Sequence, residues 1–98
     1  MDEKTKKFWE KWEVTLRDIL KKDDQRQQLE GEVRSGCIQF IYDYTETHGV
    51  RETARQLEEI GYKISYATIS EMRNGSNKYD ADSLQEVVRS IQKLNAKK

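Results

Sequence analysis

Proline is absent from all 98 residues, while apolar side chains recur at intervals of three and four. Proline and a period of two are the usual interruptions to helix; without them, an apolar stripe with a 3.6-residue period leaves amphipathic helix as the consistent solution. Five glycines are too few to break the chain anywhere except at a handful of turns. An all-α fold is therefore expected.

The stripes divide the chain into five helices. The first runs from Lys4 to about Lys22 with Phe8, Trp9, Trp12, Leu16, Ile19 and Leu20 on one face, and Asp23 and Asp24 offer a stop and a new cap. The second runs from about Gln25 to Thr47 and carries Leu29, Val33, Cys37, Phe40, Ile41 and Tyr44 inward. Gly31, Ser35 and Gly36 weaken this helix or admit a close neighbour. His48-Gly49 ends it. A short third helix, about Arg51 to Ile60, turns Val50, Ala54, Leu57 and Ile60 inward and closes at Gly61. Ser65 caps a fourth, Tyr66 to Asn74, which closes at Gly75. The fifth, about Ser83 to Asn95, is capped by Asp80 or Asp82, with Asp82 and Gln85 fitting a capping box. Residues 1–48 are expected to supply core and dimer interface, and 49–98 a DNA-binding part, within one compact domain.

Helices of about nine or ten residues are marginal in water and persist only when neighbours hold them. Projected at 100° per residue, the fourth helix centres Ile69 on one face, flanked by Ser65, Tyr66, Met72 and Arg73. Ala67, Ser70, Glu71 and Asn74 lie opposite, with Thr68 at the side. No bulky aliphatic residue stands on that outward face. Small residues let a backbone enter the major groove, which is about 12 Å wide; Asn pairs with adenine, Ser or Thr with several edges, and Glu accepts from the cytosine amino group. A helix-turn-helix is expected, with the third helix crossing the sugar-phosphate backbone. The expected base readers are Ala67, Thr68, Ser70, Glu71 and Asn74. The expected phosphate contacts are Arg51, Arg55, Lys63, Ser65, Tyr66, Arg73, Ser76, Asn77 and Lys78, with backbone amides at helix starts as further donors.

The stretch Thr68-Ile69-Ser70-Glu71-Met72-Arg73-Asn74-Gly75 resembles the end of the helix-turn-helix in the Cro/C1 phage repressor family, and Ala54 resembles that family's small residue in the first of the two helices. The resemblance covers about residues 50–94 and implies a compact helical DNA-binding domain, often dimeric. It departs in one respect: that family usually places about ten residues between the alanine and the isoleucine, whereas Ala54 and Ile69 are fifteen apart. "LEEIGYKISYATIS" is instead similar to the longer connection of helix-turn-helix segments in transposases and recombinases.

Charge adds little. Eighteen basic residues balance eighteen acidic ones, and residues 49–79 hold five basic against four acidic. An electrostatic footprint then depends on cations clustering on one face while acids turn away. Phe8, Trp9, Trp12 and Leu16 are expected to serve the core or a homodimer interface, because aromatic side chains bury large apolar areas. Cys37 sits on an apolar stripe with no partner cysteine, and His48, eleven residues on, reads as interacting with the end of its own helix. No glycine-rich phosphate loop or nucleophile pair is present, so no enzymatic activity, metal or cofactor is expected. The single cysteine favours a reducing compartment, no apolar run approaches the roughly 18 residues of a membrane span, and no secretory signal is evident, so a cytoplasmic location is expected. The expected function is sequence-specific double-stranded DNA binding by a small dimeric transcriptional regulator or repressor. A plasmid or phage partition protein binding a centromere or origin is an alternative. So is a helical adaptor that binds a protein partner through its first helix and makes no DNA contact.

Overall fold

The computed structural model describes residues 3–22 and 26–97, with side chains over 3–19 and 31–94. The cap and stop assigned to Asp23 and Asp24, and the apolar side chains of Leu20 and Leu29, lie outside the described residues. Every element among those described is a helix: α1 Glu3–Lys22, α2 Arg26–His48, α3 Val50–Glu59, α4 Tyr66–Arg73 and α5 Ala81–Lys97. The all-α expectation holds, and each expected helix is present within two or three residues of its ends.

Helix α2 is the hub, in contact with α1, α3, α4 and α5. Phe8, Trp12, Leu16 and Ile19 of α1 lie against Val33, Cys37, Phe40, Ile41 and Tyr44 of α2 in one apolar cluster. The Phe8 ring meets those of Phe40 and Tyr44 edge-on, each at 5.2 Å between centroids, an arrangement the ring quadrupoles favour. Asp43 fastens the seam: its Oδ2 accepts from Trp12 Nε1 at 3.2 Å and Lys11 Nζ at 3.0 Å, and its Oδ1 from Gln39 Nε2 at 2.9 Å. The second helix has small residues for a reason. A Cβ on Gly36 would lie 2.7 Å from Ile19 Cδ1, so α1 sits against backbone there.

The other side of α2 receives α5, whose Ala81, Leu84, Val87, Val88, Ile91 and Leu94 are buried. Asp80 is its cap, with Oδ1 accepting from Ser83 N at 2.8 Å, so α5 begins at Ala81, ahead of the expected Ser83, and Asp82 lies in its first turn.

Helices α3 and α4 are closed by the same device. Tyr62 N donates to Leu57 O at 2.9 Å and Gly61 N to Glu58 O at 3.0 Å; Ser76 N donates to Glu71 O and Gly75 N to Met72 O, both at 3.1 Å. These are Schellman closures, and they require the left-handed residue that glycine accepts without cost. Gly61 at φ 91° and Gly75 at φ 79° supply it. Inward, α3 buries Thr53 as fully as Leu57, each with no exposed surface. Thr53 was not among the expected core residues; its hydroxyl is satisfied by donating to Gly49 O at 2.8 Å, which removes the penalty of burying it. Val50, Ala54, Ile60 and Ile64 pack at the core edge.

Candidate nucleic-acid interface

Helix α4 begins where the Ser65 hydroxyl accepts the Thr68 amide at 3.2 Å. Ile69 is completely buried and Met72 nearly so, which fixes the rotation of the helix. The opposite face is open: Ala67 and Asn74 are exposed, and Thr68, Ser70 and Glu71 are half-buried. Tyr66 lies toward the Ile69 side of the projection, yet half its surface is exposed. As the first residue of the helix it projects past the core edge, and its ring carries the Arg51 guanidinium 4.8 Å from the centroid. The start of α3 (Gly49, Val50, Arg51, Glu52) and the face of α4 (Tyr66, Ala67, Ser70, Glu71) together line one open concavity of about 610 Å³.

The cations expected to meet phosphate fall into three groups. Arg51 and Lys63 are exposed, with no carboxylate at ion-pair distance among the described residues. Arg55 and Lys78 are exposed but paired. Arg55 bridges Glu52 and Glu59 on its own helix; its hydrogen bond holds the Glu52 carboxyl below the usual range, and both carboxylates raise the guanidinium still further. Lys78 Nζ lies 3.4 Å from Glu71 Oε2. Arg73, on the core side of α4 and as readable as a packing arginine as a phosphate ligand, packs. It pairs with Glu46, sits over the Tyr42 ring at 4.4 Å, and keeps only 19% of its side chain exposed. It pins α4 to α2.

The loop after α4 is also tied down. Arg34 Nη2 of α2 donates to Ser76 O at 2.7 Å, and the Ser76 hydroxyl accepts from Lys78 N at 3.3 Å. Asn77 and Lys78 are exposed. Arg34 is a functional candidate that sequence spacing did not reveal: it holds the loop from 42 positions upstream, and no local pattern encodes that contact.

The aromatic residues of α1 require a correction. Phe8, Trp12 and Leu16 retain 6%, 4% and 2% of their surface, and Trp9 is half-buried against the same cluster. The core role expected of them is real, but the first three have no face left for a second copy or a partner, because α2 already covers them. His48 interacts with its own helix as expected: Nδ1 lies 3.1 Å from Tyr44 O, while Nε2 lies 3.1 Å from Thr5 Oγ1. Its ring stacks on Tyr44, whose hydroxyl donates to Gln56 Oε1 at 3.0 Å and is pushed up to about 12 by burial and by Glu52. Cys37 is fully buried, and the described residues contain no grouping of His, Cys, Asp and Glu able to hold a metal. No helix among them is long and apolar enough to cross a membrane. Compared with protein-family models, curated proteins and solved structures, the chain matches none significantly.

Proposed function

We infer that this chain is a sequence-specific double-stranded DNA-binding protein that lays α4 in the major groove and α3 across the adjoining backbone. The observation that carries the reading is the division of α4: Ile69 and Met72 are buried, Asn74 is exposed, and Ala67 and Ser70 line a concavity rimmed by Arg51. A helix of about 10–12 Å diameter fits a groove about 12 Å wide only if the approaching face is small and polar. Asn74 is suited to adenine, Ser70 and Thr68 to several base edges, and the Ala67 methyl to that of thymine. In this reading Arg51, Lys63 and the exposed Asn77-Lys78 loop set register on the phosphates.

Homodimer formation belongs to the same proposal, since doubling a single reading helix lengthens the recognised site. Two half-sites would then lie about 34–36 Å apart or a multiple of it. Of the three residues the adaptor alternative relies on, Phe8 and Trp12 are buried and Trp9 is half-buried, which favours the DNA-binding reading. Regulation of transcription is the use such a protein most simply serves.

The charge pattern makes the proposal quantitative. Arg51 and Lys63, with no carboxylate at ion-pair distance among the described residues, or these two and Lys78 once it is released, give a slope of log K against log salt of about −2 to −3 per protomer. Selection of bound fragments from a random duplex pool, followed by a salt titration on the recovered sequence, tests this. Recovery of a shared sequence element with a slope in that range supports the proposal. Failure to retain any duplex at low salt refutes it, as does binding indifferent to salt.

A further inference from the structure

Glu71 stands on the face of α4 that the proposed function turns toward a polyanion, where a bare carboxylate would be repelled. Its surroundings are built to counter this. Lys78 Nζ lies 3.4 Å from Oε2, and the Tyr79 hydroxyl donates to the same Oε2 at 3.2 Å. The Tyr79 ring packs against the core cluster, so its hydroxyl is held from behind. The Glu71 carbonyl takes part in the closure of α4, accepting from Ser76 N at 3.1 Å, so the backbone carrying this side chain is fixed as well. No hydrogen bond among the described residues reaches Oε1. Glu71 also lines the concavity with Arg51, Tyr66, Ala67 and Ser70. One carboxylate oxygen is therefore anchored and charge-balanced, and the other is left as a pure acceptor beside the surface offered to a ligand.

We propose that Glu71 determines specificity by accepting, through Oε1, the exocyclic amino group of a cytosine, and that Tyr79 is the residue that positions it. The inference rests on the DNA-binding reading above. The choice of base follows from the groove edges. Guanine presents two acceptors, thymine an acceptor and a methyl group, and adenine an acceptor beside its amino group, each of which opposes a carboxylate. Cytosine presents the amino donor alone. Lys78, while it stays beside Glu71, also lowers the electrostatic cost of bringing that carboxylate near the backbone.

The test compares the full chain with Glu71→Ala, Glu71→Gln and Tyr79→Phe on one selected duplex. Each cytosine of the recognised element is replaced in turn by a pyrimidinone that lacks the 4-amino group, and affinity for an unrelated duplex is measured in parallel. The native chain is expected to lose about tenfold in affinity at one position when the amino group is removed. Glu71→Ala should show no further loss at that position. Glu71→Gln should shift its preference toward adenine, which an amide can pair bidentately. Tyr79→Phe should keep the same preferred base with discrimination reduced several-fold, while its affinity for the unrelated duplex and its helical circular dichroism stay as in the native chain. A native chain that tolerates loss of the amino group at every position, while still selecting a sequence, overturns this proposal and leaves the DNA-binding reading standing. So does an amino-group penalty that persists in Glu71→Ala. A chain that retains no duplex at all overturns both.

Discussion

Alanine at Gly36 and alanine at Gly31 are expected to move stability in opposite directions, although both sit inside α2. Glycine within a helix costs about 1 kcal/mol relative to alanine, largely through the freedom it retains when unfolded. At Gly31 nothing lies within 4 Å of the added Cβ, so Gly31→Ala should stabilise by about 0.5–1 kcal/mol. For a domain of this size that raises Tm by about 2–8 °C. At Gly36 the added Cβ lies 2.7 Å from Ile19 Cδ1 and 3.0 Å from Ile19 Cγ1. The preferred separation of carbon atoms is about 3.5–4.0 Å, so the end of Ile19 must retreat by roughly 1 Å. Ile19 is 7% exposed and belongs to the core cluster, and forcing such a side chain aside costs about 1–3 kcal/mol. The propensity gain offsets part of this, leaving Gly36→Ala destabilised by about 1 kcal/mol. Ile19→Val removes the closer of the two carbons at a cost of about 0.5–1.5 kcal/mol. In that background Gly36→Ala should cost much less, giving a coupling of about 1 kcal/mol. Urea unfolding of the two single alanine variants, Ile19→Val and the Gly36→Ala/Ile19→Val double variant, followed by tryptophan fluorescence and far-ultraviolet circular dichroism, measures each corner. If Gly36→Ala stabilises as much as Gly31→Ala, or if the two sites prove independent, α1 does not lie against the backbone of α2 at Gly36.

Four further outcomes follow from particular contacts. Gly75→Ala places a Cβ in the left-handed region at φ 79° and should cost about 1–2 kcal/mol, read by the same unfolding assay. Arg73→Met removes the pairing with Glu46 and the contact over Tyr42; it should destabilise by about 1–2 kcal/mol and weaken DNA binding only in proportion to the unfolded fraction. Tyr44 holds its proton up to about pH 12, whereas the unfolded phenol releases it near its ordinary value of 10.0. The raised value contributes stability that is complete below about pH 10 and is lost as pH rises toward 12; an alkaline melting series should show that loss, and Tyr44→Phe should diminish it. On the proposed DNA-binding function, Asn74→Ala should reduce discrimination among duplexes, while Lys63→Ala should weaken binding to all of them alike and flatten the salt slope by about 1.

Much of the architecture was legible because its determinants are local. The stripe of Leu84, Val87, Val88, Ile91 and Leu94 needs only the period of the helix to declare itself, as do the cap at Ser65 and the glycines at 61 and 75. The outward face of α4 was legible for the same reason: once Ile69 is taken as inward, the geometry of a helix places Ala67, Ser70 and Asn74 on the other side. The bounds of α5 were less so. Asp80 and Asp82 are both acceptable caps, and the bond from Ser83 N to Asp80 decides between them.

The sequence by itself determined that this chain is helical, where each helix begins and ends to within a turn, and which side of α4 is free of aliphatic bulk, because neighbours in sequence dictate all three. Only the tertiary structure decided which charges remain available. It turned Arg73 inward onto Glu46 and Tyr42, closed Phe8, Trp12 and Leu16 beneath α2, and brought Lys78 and Tyr79 to one oxygen of Glu71. Those outcomes depend on contacts between separate helices and loops, or on the path of a turn, and no periodicity along the chain records which side chains will meet there.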